Sequence, residues 1–121
     1  MKFNGILLGS DNPQTLADFY TKLLGEPSWH DGDWYGYSAG GDIGIGPHSE
    51  VKGQNQSPGR IMVMFEVEDI QNEFIRIKDL GATVVAEPYH PGQAEEMWLA
   101  TFADPDGNYF QLATPMTEPS K

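Results

Sequence analysis

No cysteine occurs among the 121 residues, so no disulfide staples the chain, no thiol serves as nucleophile, and any metal would depend on nitrogen and oxygen ligands. Basic residues are scarce. Seven Lys+Arg stand against 18 Asp+Glu, a formal net charge of -11, and such a surface repels phosphate backbones and anionic bilayers. Nucleic acid and membrane are therefore not expected as partners. Long apolar runs are missing too: nothing approaches the roughly 20 residues that span a bilayer, and the apolar part of Met1–Pro13 is too short for a secretory leader. A soluble protein in the cytoplasm is the expectation, and the lack of cysteine fits that compartment. The histidines His30, His48 and His90 follow no fixed spacing and form no metal motif.

What is present suffices for one domain, since a hydrophobic content of 39% supports a real core at this length. Phe3 to Leu8 reads as a buried strand that runs into a helix start, with Asn12 as cap and Pro13 in the first turn. Leu16, Phe19, Tyr20, Leu23 and Leu24 recur at helical spacing, and Gly25 closes the helix. Short strands near 27–30, 33–39 and 42–47 follow among Gly and Asp punctuation. The polar stretch from Ser49 to Gly59 reads as a linker or mobile loop.

The pattern then begins again. Ile61 to Val67 reads as a strand, Asp69 as a cap, and Ile70, Phe74, Ile77 and Leu80 as a helical stripe closed by Gly81. Strands at Thr83–Ala86, Met97–Phe102 and Tyr109–Ala113 complete the unit. One α+β domain over 1–121 is thus read as a duplication of a strand-helix-three-strand module, the first over 1–48, a linker over 49–59 and the second over 60–116.

The segment Asp18-Phe19-Tyr20-Thr21-Lys22-Leu23-Leu24-Gly25 resembles the first-helix signature of the vicinal oxygen chelate superfamily, which includes glyoxalases, bleomycin resistance proteins and ring-opening dioxygenases. Ala103-Asp104-Pro105-Asp106-Gly107-Asn108 followed by Tyr109-Phe110-Gln111-Leu112 is similar to that family's turn and last strand. The resemblance implies tandem βαβββ modules curled into open half barrels around a small-molecule cavity, usually in a homodimer. It also implies, for the metal enzymes, His and Glu ligands on the first and last strands of each module. The matched positions here are Asn4 or Gly5, Gly44 or Gly46, Met62 and Gln111. Glycine has no side chain, methionine suits hard cations poorly, and the neutral amide of Gln111 can neither act as general base nor replace a carboxylate.

Period-two alternation places Met62 and Met64 on one face of their strand and Val63, Phe65 and Val67 on the other, the latter against Phe74 and Ile77. The methionines then line the cavity, where a thioether adapts to an apolar ligand. Gln111 shares its strand face with Tyr109, and Trp98 belongs to a strand bordering the same space; with Trp34 and Tyr37 these residues suggest a pocket for a flat ligand. Each aromatic taken singly reads equally well as core filling. His48 joins the cavity mouth if the strand of Gly44 and Gly46 continues past Pro47, and otherwise is a solvated loop histidine. The expected ligand contacts are accordingly His48, Met62, Met64, Trp98, Tyr109 and Gln111, with no metal and no other cofactor. The expected function is metal-independent binding or sequestration of a small molecule. The alternative is a lyase, isomerase or dioxygenase whose divalent metal sits on displaced ligands such as His48 and Gln111.

Overall fold

A computed structural model describes residues 1–92 and 95–115. They fall into two compact units, Met1–Gln54 and a second that begins at Asn55. In the first, β1 (Gly5–Gly9), α1 (Pro13–Leu24), β2 (Trp29–Asp31), β3 (Trp34–Ser38) and β4 (Asp42–Gly46) follow in order. In the second, β5 (Val63–Glu66), α2 (Ile70–Asp79), β6 (Thr83–Tyr89), β7 (Leu99–Ala103) and β8 (Tyr109–Ala113) repeat that order. The sheets also share a topology, β1-β4-β3-β2 and β5-β8-β7-β6, with the first and last strand of each unit parallel and the rest antiparallel. The chain is therefore two βαβββ modules in an α+β fold. The expected end of the second module at 116 lies outside the described residues.

Both helices start as their sequences dictate. The Asn12 side chain accepts from the Thr15 backbone N–H with Pro13 in the first turn, and the Asp69 carboxylate accepts from the Asn72 N–H at 3.1 Å. Both end before a glycine of positive φ, 99° at Gly25 and 95° at Gly81, a conformation that a side chain disfavours.

Each helix covers one face of its sheet. In the first module Leu16, Phe19, Tyr20 and Leu23 bury against Tyr37, Ile43 and Ile45. In the second, a run of rings from Phe65 through Phe110 and Phe102 to Phe74, with centroids 6.0, 5.5 and 5.3 Å apart, joins sheet to helix. The side of β5 carrying Val63 and Phe65 thus faces the helix, as the alternation predicts.

The Asp104 turn fixes the hairpin between β7 and β8. Asp104 Oδ1 accepts from the backbone N–H groups of Asp106 and Asn108 at 2.9 and 3.0 Å, and Oδ2 accepts from Asn108 Nδ2 at 3.0 Å. Asn55, in the stretch read as a mobile linker, is hydrogen-bonded to that turn: its N–H donates to the Asp106 carbonyl at 2.8 Å and its Nδ2 to Asn108 Oδ1 at 2.9 Å.

Strand ends differ from the sequence reading where ladder partners run out. Phe3 and Ile61, expected at strand starts, are 79% and 71% exposed, because β1 and β5 pair only over Gly5–Gly9 and Val63–Glu66. The strand expected at Thr83–Ala86 continues to Tyr89 through register shifts against β7, the mark of a bulged edge.

Tyr37 corrects another expectation. Read as a cavity residue, it points its side chain to the helix instead, where its hydroxyl donates to the Ala17 carbonyl at 2.9 Å and pairs with Thr21 Oγ1 at 2.8 Å. Alternation along β3 forces this, since Trp34 and Gly36 take the opposite face. Burial pushes the phenol's pKa up, against a smaller downward pull from the Thr21 bond. Tyr37→Phe should lose about 1–2 kcal/mol in urea unfolding at neutral pH. Above the ordinary phenol pKa the unfolded chain releases this proton before the folded one does. Stability should therefore fall there with rising pH in the parent, and less steeply in Tyr37→Phe.

Candidate functional site

The face of the first sheet opposite α1 is open, and its residues follow from the register. Across the four strands, Leu7, Gly44, Gly36 and Trp29 stand in one row. On one side lies the row of Gly5, Asp42 and Ser38; on the other, Gly9 and Gly46 lead to Trp34 and Asp31. Neighbouring rows are about 7 Å apart and neighbouring strands about 4.8 Å. The result is a cleft of about 520 Å³ with a bare backbone floor at Gly44 and Gly36. Its walls are Leu7, Trp29 and Trp34, which remain 55%, 55% and 42% exposed.

The glycines of this face are there for space. Gly5, Gly36, Gly44 and Gly46 take negative φ that any residue could adopt. At Gly46 a Cβ would fall inside the Trp34 indole, so that ring lies directly on the strand. At Gly44 a Cβ would stand 3.4 Å from Leu7 Cδ1, and at Gly36 3.7 Å from Trp29, contacts that leave the fold intact but begin to fill the floor. Large apolar groups held exposed around a bare floor are what a flat apolar ligand needs on one side.

At the polar end, Ser38 Oγ donates to Asp42 Oδ1 at 3.4 Å, and Ser28 Oγ lies 3.4 Å from Ser38 Oγ and donates to the Gly36 carbonyl at 3.2 Å. Among the described residues Asp42 is the one charged residue lining the cleft.

Of the aromatics expected from sequence around a flat ligand, Trp34 lines this cleft; the expected contacts His48, Met62, Met64, Trp98, Tyr109 and Gln111 are not among its lining residues. β4 ends at Gly46, so His48 lies beyond the strand; it is exposed, and its Nδ1 accepts from the Glu50 N–H at 3.1 Å. Met64, Gln111 and Thr101 form one row on the open face of the second sheet. Met64 is 53% exposed, whereas Gln111 is buried and donates through Nε2 to Thr101 Oγ1 at 3.1 Å. Tyr109 shares that face at half burial, and Met62, also half-buried, precedes β5. Trp98 precedes β7 and packs its ring on the His90 imidazole, centroids 3.9 Å apart.

Trp29, Leu7, Gly36 and Asp42 were not singled out by sequence. The signal was the alternation Asp42-Ile43-Gly44-Ile45-Gly46, in which isoleucines mark the helix face and glycines the open one.

Taken module by module, the positions that the resemblance matches to metal ligands do not suit a divalent cation. Asn4, Gly5 and Gly44 line this cleft, Gly46 lies beside it under Trp34, and the second module offers Met62 and Gln111. Two neutral amides are the sole nitrogen and oxygen side chains among them, and the Gln111 amide is engaged by Thr101. Among the described residues, no three His, Asp or Glu side chains are grouped to hold a metal.

The sequence profile of the glyoxalase-like domain matches residues 5–113. Over 56 residues the chain is 41% identical to the uncharacterised protein YurT of Bacillus subtilis, a stretch that is 46% of this chain and 42% of that protein. The chain thus spans less than half the length of this relative. A glyoxalase-related enzyme from Fulvimarina pelagi superposes with a TM-score of 0.76 at 17% identity, covering 100% of this chain and 94% of that one. The fosfomycin resistance protein FosX from Listeria monocytogenes gives a TM-score of 0.74 at 18% identity over 95% and 93% of the two chains. At such identities the two structures share the fold.

Because the indole occupies the place of a Cβ, Gly46→Ala should displace Trp34, at a cost of about 1–3 kcal/mol in chemical denaturation. Trp34→Ala should relieve most of that cost in the double variant. An additive pair of losses would show that the ring does not rest on Gly46.

Proposed function

We propose that this chain, which belongs to the glyoxalase-like domain family, binds a flat, partly apolar small molecule in the first module's cleft without a metal. One observation carries the reading: Leu7, Trp29 and Trp34 stay exposed around a floor built of glycine, at a volume suited to a small ligand. Burying those walls against a planar molecule removes apolar area from water, and the flat floor lets a ring approach the backbone. The donor chemistry supports the metal-free part, since neutral amides cannot offset the cost of stripping water from a doubly charged ion. Sequestration follows most directly from such a cleft, because among the described residues Asp42 is the one charged side chain lining it.

The face of the second sheet turned from α2, with Met64, Tyr109 and Gln111, is proposed as ligand-contacting too. A homodimer in the cytoplasm is the proposed assembly, since edge strands left open invite uncontrolled association.

Titrating chelator-treated protein with neutral planar aromatics should quench tryptophan emission with saturation, and added Mn²⁺ or Ni²⁺ should leave the affinity unchanged. Gly36→Val, whose Cβ meets Trp29 at an ordinary distance, should keep the fold by circular dichroism and weaken binding at least about tenfold by filling the floor. Saturable binding that appears only with metal, or that Gly36→Val leaves intact, would sink this reading.

A further inference from the structure

We infer that the ligand of the first module's cleft is a planar organic cation, held with its ring on the glycine floor and its positive group directed to Asp42; this rests on the flat-ligand reading of the same cleft. Three observations converge. Among the described residues no Lys, Arg or His lines the cleft and Asp42 is its one charged residue, so the field they set inside has a single sign. Asp42 stands on the sheet one row from Gly44 and Gly36, about 7 Å along the strands from the floor. Ser38 Oγ donates to its Oδ1, leaving a carboxylate held at the cleft's end.

The walls favour the same charge. Trp29 and Trp34 are both exposed, and an indole face attracts a cation through its quadrupole by about 0.5–1 kcal/mol at exposed sites. A delocalised cation loses less hydration than a compact ammonium on leaving water, so a charged heteroaromatic ring suits a cleft that is apolar in its middle and acidic at one end. Asp31, opposite Trp34 on β2, adds negative charge beyond the wall but does not line the cleft, which is why the positive group is assigned to the Asp42 end. The same arrangement disfavours phosphates, phosphonates and carboxylates, because none of the described residues lining the cleft carries a positive charge.

The test compares probes of nearly equal shape on the full chain by calorimetry at low and high salt: N-methylacridinium as the fixed cation, N-methylacridone as its neutral counterpart and anthracene-9-carboxylate as the anion. The cation should bind most tightly and the anion least. Asp42→Asn should cut the preference for cation over neutral probe by about fivefold, as expected for one partly exposed charge pair. Asp42→Glu should keep it, and Asp79→Asn, which removes an exposed charge on α2, should leave it unchanged. Equal affinity for all three probes would overturn the inference while leaving the flat-ligand reading standing. Binding of none would overturn both. A preference that survives Asp42→Asn, or that Asp79→Asn reduces equally, would assign the selectivity to net charge and not to Asp42.

Discussion

One helix can cover one face of a four-stranded sheet, and among the described residues each module carries a single helix. Strand alternation therefore divides every residue in the sheet into two populations with different physical tasks. Ile43, Ile45 and Tyr37 in the first module, and Phe110, Leu112 and Phe102 in the second, are buried against α1 and α2. Their neighbours in sequence are turned away from their own module's helix, and their character is free to be set by something other than packing against it. The helix side supplies the stability; the other side is where function can be placed.

The two modules use that freedom differently although their topology is the same. In the first, the open face is emptied at its centre by Gly36 and Gly44 and walled by Leu7, Trp29 and Trp34. In the second, the middle row carries Met64, Gln111 and Thr101, and the amide-hydroxyl bond between the latter two satisfies polar groups that burial would otherwise penalise. The two frames have the same topology, and the faces turned from their own helices carry different side chains. A planar recess and a filled, partly polar surface are the outcomes.

Much of this was legible in the sequence. The caps at Asn12 and Asp69, the closing glycines and the Asp104 turn each encode a local conformation through a specific hydrogen bond or dihedral, and each is found as read. The face assignment of Val63 and Phe65 came from alternation and also holds. Tyr37 misled because an aromatic residue in a strand suits either face by composition, and the register of β3 against β4, a non-local fact, decided between them. The cleft itself was hidden for a related reason. Its floor consists of residues without side chains, and glycine in a strand reads as a turn or bulge signal until the neighbouring strands show that the rows coincide. Trp29, Gly36, Gly44 and Leu7 are far apart in sequence and become one row only when four strands are paired.

The glycine at position 44 ties the form of the cleft to its chemistry. A side chain long enough to reach a metal from that position, an imidazole or a carboxylate, would have to extend over the floor between Leu7 and Trp29, with its Cβ already 3.4 Å from Leu7 Cδ1. A ligand side chain and a bare floor are alternatives at this position, and glycine gives the floor. The same reasoning extends to Gly46, where the volume a ligand side chain would need is taken by the Trp34 indole. On the proposed metal-free reading, attraction for a bound molecule comes from the walls and from Asp42. Apolar contact, the indole quadrupoles and one carboxylate are then what that reading offers a ligand.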